Sequence, residues 1–115
     1  MKTKELSKIV INALEDLKAF DIQTLDVKRL TSITDVMIIA SGKSDRQVKA
    51  LADKTIEAVN AKHIKPLGIE GHLQGDWVLI DLGDIIIHIM RPPIREYYQL
   101  EKLWSVSSRQ FSSSI

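Results

Sequence analysis

Asp81 and His88 are the side chains of this chain best suited to proton transfer. A carboxylate that orients an imidazole makes a general base near neutral pH. A turn at Gly83-Asp84 would fold them onto one sheet face as diagonal neighbours, within reach of a hydrogen bond. The chain has no cysteine, no serine nucleophile is set beside the pair, and no oxyanion loop is evident. Gly42-Lys43-Ser44 has the form of the end of a phosphate-binding loop, but the full motif needs glycine where Met37 stands. Ser44 with Gln47 three residues on reads more simply as a helix capping box. His63, His72 and His88 have no short-range zinc spacing. Arg46, Lys49 and Lys54 are interrupted by Asp53 and Glu57, the pattern of a solvated helix face with weak RNA contact as its alternative.

The elements that must position these residues follow from periodicity. Leu6, Ile9, Val10, Ala13, Leu14, Leu17 and Phe20 recur at helical spacing, with Thr3 as the expected N-cap. Residues 22–27 form a short strand, and the continuous apolar run 36–40 reads as a strand covered on both faces. Val48, Leu51, Ala52, Thr55, Ile56 and Val59 mark a second amphipathic helix, stopped by Pro66. Leu67 and Ile69 alternate in a third strand, and residues 77–82 and 85–90 form a hairpin about Gly83-Asp84. Pro92-Pro93 ends the sheet, and Pro93 is placed to open a last helix running to Trp104. The order α-β-β-α-β-β-β-α implies one mixed sheet flanked by helices, an α/β (α+β) fold. Residues 1–104 form the domain, and the Ser-rich residues 105–115 read as a flexible tail.

The hairpin has two unlike faces. A two-residue loop sets Leu82 against Ile85, Ile80 against Ile87 and Val78 against Ile89, so these six aliphatic side chains share the core face. Trp77, Leu79, Asp81, Ile86, His88 and Met90 share the other. A helix that half-covers this second face would make the Asp81–His88 pair structural. Left partly open, the face would bind a partner through Trp77 and Asp81. The last helix favours the open reading. Ile94, Tyr97, Tyr98, Leu100, Leu103 and Trp104 cover an arc of roughly 220°, where one buried side needs little more than about 100°. Tyr98 lies near the edge of that arc and is expected at the surface.

Composition bounds the rest. The 115 residues carry a formal net charge of +1, well short of the basic excess typical of nucleic-acid binders. Apolar runs are strand-sized, so no membrane span is expected, and the cytosol is the expected location.

Several segments together resemble the ribosomal silencing factor family, also called Iojap-related. They are Thr34-Asp35, residues 39–48, Gly68-Ile69-Glu70-Gly71, residues 76–84, His88 and residues 95–104, in the same order over about Leu6 to Trp104. The resemblance implies a nucleotidyltransferase-like fold without catalytic residues. No aspartate here has a carboxylate two residues later, as the metal-holding pair of such enzymes requires. It also implies a non-enzymatic repressor with no cofactor. Such a repressor binds the large ribosomal subunit through that subunit's protein fourteen and blocks joining of the small subunit when nutrients are scarce. Carried onto this chain, the partner-binding surface comprises Glu70, Trp77, Asp81, Met90, Pro93 and Tyr98. Arg91-Pro92-Pro93 departs from the acidic residues common at that connection in the family.

Other readings stay open. One is a large-subunit assembly factor touching ribosomal RNA through Lys43, Arg46 and Lys49. Another is a residual nucleotide-binding domain using Ser41, Gly42 and the Asp81–His88 pair. The chain is a monomer or a homodimer joined through its aromatic face.

Overall fold

The computed structural model describes residues 1–102, so Leu103, Trp104, Phe111 and the expected Ser-rich tail lie outside the described residues. Helix α1 spans Thr3–Asp16 and buries Leu6, Val10, Ala13 and Leu14, the stripe set by their spacing. Its N-cap is Lys2, with no side-chain cap, so Thr3 is the first helical residue and not the cap. The helix stops before Phe20 because Lys18 adopts a left-handed φ of 64°. Phe20 instead begins β1 (Phe20–Asp26), which carries a bulge after Phe20 where Asp21 also has a positive φ.

Strand β2 (Val36–Ser41) leads into α2 (Asp45–Asn60). The capping reading of Ser44 holds: its Oγ accepts from Gln47 N–H at 3.1 Å. The Gln47 side chain also accepts from Lys43 N–H and donates to Leu17 O at 3.1 Å, tying the start of α2 to the end of α1. Strands β3 (Gly68–Glu70), β4 (Trp77–Asp81) and β5 (Ile85–Met90) complete one five-stranded sheet in the order β1-β2-β5-β4-β3. β2 and β5 run parallel at its centre, and the other pairs are antiparallel.

The hairpin register matches the reading from the sequence. Val78 pairs with Ile89 and Ile80 with Ile87, Leu82 N–H donates to Ile85 O at 2.9 Å, and Gly83 takes the positive φ. Val78, Ile80, Ile85, Ile87 and Ile89 are fully buried. With Ile38 and Ala40 they meet Leu6, Val10 and Leu14 of α1 and Val48, Leu51, Ala52 and Val59 of α2. Both long helices therefore cover one side of the sheet.

The opposite side is served by a short helix, α3 (Pro92–Tyr98). Its first residue is Pro92, one earlier than expected. It does not run on to Trp104: Gln99 adopts a left-handed φ of 50° and breaks it, and helical geometry resumes at Leu100. Ile94 and Leu100 pack on a small cluster of Val27, Met37, Ile39 and Met90.

Candidate functional site

Strand alternation builds the second face of the sheet. Trp77, Leu79 and Asp81 of β4 lie beside Met90, His88 and Ile86 of β5, and Glu70 and Gly68 of β3 lie beside Leu79 and Asp81. Four hydrogen bonds from two arginines hold α3 over one end of this face. Buried Arg95 donates from Nη1 to Ser41 Oγ at 2.7 Å and from Nε to Glu101 Oε1 at 2.9 Å. Arg91 donates through its backbone N–H to Asp76 O and through Nε to Asp76 Oδ1, both at 3.1 Å. The start of α3 is thus pinned to the residue before Trp77. Gly71 is needed here too. Its φ is 81°, and an added Cβ would lie 2.0 Å from Trp77 O.

With α3 in place, three aromatic rings adjoin. Trp77 lies 5.0 Å from Tyr98 at 49°, and Tyr98 lies 4.9 Å from Tyr97 at 81°. These are tilted and edge-on contacts of the kind aromatic pairs prefer. Tyr97 is 81% exposed and Tyr98 52% exposed, in line with the expectation for Tyr98. Trp77, Leu79, Asp81 and Ile86 are half-buried, and Glu70 and Pro93 are exposed. Helix α3 leaves this part of the face partly open, with Asp81 farther along β4 and Glu70 beside Leu79 on the same face.

Two expectations change. Met90 is 0% exposed, because it packs with Val27, Met37 and Ile39 beneath α3. It supports the face from below and offers a partner nothing. The Asp81–His88 hydrogen bond does not form. His88 has two diagonal neighbours on β4, Trp77 and Asp81, and strand twist favours one diagonal over the other. His88 Nδ1 accepts from Trp77 Nε1–H at 3.0 Å, while Asp81 Oδ1 accepts from Gly83 N–H at 2.8 Å within the turn. His88 is 6% exposed, and burial lowers its pKa from 6.5 to about 4, so it is neutral at physiological pH.

The polar side chains suited by type to chemistry have structural partners. Ser41 is engaged by Arg95, and Ser44 by the α2 cap. His72 contacts Asp53 at 2.8 Å, with no part in the aromatic face. Among the described residues no three His, Asp or Glu side chains gather as a metal site, and no helix is long and apolar enough to cross a membrane. The site reading left out half-buried Leu79 and Ile86 and exposed Tyr97 as parts of the face a partner could touch. The period-two pattern that groups Leu79 and Ile86 with Trp77 and Asp81 was the available signal. Nothing local marked Arg95 as a buried anchor.

Residues 1–114 match the family described as "Ribosomal silencing factor during starvation". The chain belongs to the ribosomal silencing factor family. A silencing factor of Chromobacterium violaceum is 45% identical over 112 residues, which is 97% of this chain and 92% of that protein. A crystal structure of a protein from the same organism superimposes with a TM-score of 0.90 at 47% identity, covering 91% of this chain and 88% of the other. A mouse protein named "Mitochondrial assembly of ribosomal large subunit protein 1" is 34% identical over 105 residues, 87% of this chain and 45% of its own length. The chain is thus a ribosome-associated regulator by family, with the mixed α+β architecture of its structural relatives.

Proposed function

We propose that this silencing factor represses translation by binding the large ribosomal subunit through that subunit's protein fourteen and by standing where the small subunit must join. The observation that carries the reading is the half-open face of Trp77 and Tyr98 with Glu70 and Asp81 farther across it. Rigid aromatics in a partly desolvated patch are the usual anchors of protein interfaces. Ribosomal proteins are commonly basic, and the flanking carboxylates complement such a surface. Pro93 completes the candidate contact set, and Met90 belongs to its support.

The mechanism needs no catalytic step. The described chain measures 44 × 34 × 21 Å, large enough to obstruct a subunit bridge. Occupied large subunits leave the joining equilibrium by mass action. A stable contact of this kind buries about 1,200–2,000 Å² in total. The test is co-sedimentation with purified large subunits. Trp77→Ala and Asp81→Lys abolish binding, and a single cooperative melting transition for each variant separates a lost contact from a lost fold. Retained binding by both folded variants removes this surface from the mechanism.

The mouse relative's name favours a second reading, a role in large-subunit assembly. There, exposed Lys43 and Arg46 and half-buried Lys49 would touch ribosomal RNA. RNA affinity falling steeply with salt supports that reading, and a flat salt response rejects it.

A further inference from the structure

The indole nitrogen of Trp77 is already used inside the protein. Its N–H donates to His88 Nδ1 at 3.0 Å, and the two rings lie 5.8 Å apart at 51°. A ring nitrogen accepts only when it carries no hydrogen, so His88 is the neutral tautomer protonated on Nε2. The surroundings enforce that form. Ile39 and Leu79 flank His88 on the neighbouring strands, and Ile86 and Met90 lie two residues either side of it on the same face. None of these side chains solvates an imidazolium. As a buried residue of a strand paired on both sides, His88 is a fixed acceptor. Tyr98 packs against the same indole. The Trp77 ring is therefore oriented before any partner arrives.

We infer that His88 is the positioning residue of the docking face: it holds the Trp77 indole by its N–H, so that the ring meets a partner through its π face and edge and not as a hydrogen-bond donor. The inference rests on the docking role proposed above for Trp77. It adds a specificity rule. The partner group seated on Trp77 need not supply an acceptor, and a flat apolar or cationic group fits the exposed ring. It also accounts for a buried histidine among aliphatic neighbours, where leucine would pack without a polar atom to satisfy. A ring already held by one hydrogen bond and one aromatic neighbour loses little freedom on docking.

Three full-length variants test this. His88→Phe keeps a ring but offers no acceptor. His88→Asn places a carboxamide oxygen near the position of Nδ1. Replacing the Trp77 indole by its benzothiophene isostere removes the N–H alone and leaves His88 in place. The readouts are the Trp77 indole N–H resonance, assigned with Trp77→Phe, and the Kd for purified large subunits. His88→Phe shifts the indole resonance to its unbonded position and weakens binding about tenfold, the scale of one lost hydrogen bond. His88→Asn restores the bonded resonance and most of the affinity. The isostere weakens binding as His88→Phe does, and it decides the matter if His88→Phe does not fold. Parent affinity for the isostere, or equal losses for Phe and Asn, overturns the positioning role. If Trp77→Ala leaves the affinity unchanged, the docking reading itself has failed. If Trp77→Ala abolishes binding and the isostere does not weaken it, only the role of His88 has failed.

Discussion

The two sides of the sheet are built to opposite rules. The side under α1 and α2 is aliphatic throughout, with Ile38, Ile80, Ile85, Ile87 and Ile89 sealed from solvent. The side under α3 mixes an indole, an imidazole, carboxylates and thioethers, and only part of it is covered. Fourteen- and sixteen-residue helices cover the first side, and a seven-residue helix covers the second. The difference teaches where stability and recognition reside. Apolar burial on the first side supplies most of the driving force for folding. That leaves the second side free to hold polar groups such as Trp77, His88 and Arg95 in set positions by hydrogen bonds across the fold.

Variants on each side sharpen this contrast. The largest effect falls on the aliphatic side. Ile87→Ala, at a fully buried position on β5, costs about 2–5 kcal/mol in denaturant unfolding. A loss below about 1 kcal/mol would break the contrast by showing that this side is not tightly packed. Acid comes next, acting on the other side. The folded-state pKa of His88 lies below its unfolded value, so its neutral form stabilises the fold fully above pH 6.5. That contribution is lost as pH falls from 6.5 toward about 4 and amounts to about 3 kcal/mol. Unfolding titrations across this window should show the parent losing more stability than His88→Asn. Identical pH profiles would place the acid sensitivity elsewhere.

Gly71→Ala tests the backbone beneath the indole. The added Cβ meets Trp77 O, and the positive φ is strained for alanine, so a loss of about 1–3 kcal/mol is expected together with a shifted Trp77 resonance. The smallest effect belongs to Tyr97→Ala, which changes stability by less than about 0.5 kcal/mol because the side chain is 81% exposed. A larger loss measured by thermal unfolding would mean that Tyr97 is structural.

Much of the architecture was legible because short-range rules decide it. The turn at Gly83-Asp84 determines the hairpin register, and register with alternation assigns each side chain to a face. Ser44 and Gln47 announce the start of α2 through a cap made within one turn. Other features escaped for lack of such a rule. The end of α1, the break at Gln99 and the first residue of α3 depend on left-handed backbone at Lys18 and Gln99, residue types that rarely adopt it, or on Pro-compatible backbone at Pro92.

The sequence by itself determined the family, the element order and the two unlike faces, because motif order and period two survive without coordinates. Only the tertiary structure decided which diagonal neighbour His88 bonds, that Met90 lies beneath α3, and how much of the second face stays open. Those outcomes depend on strand twist and on Arg91 and Arg95 anchoring α3 to distant residues. Contacts of that kind join positions far apart in the chain, where no spacing between neighbours can reveal them.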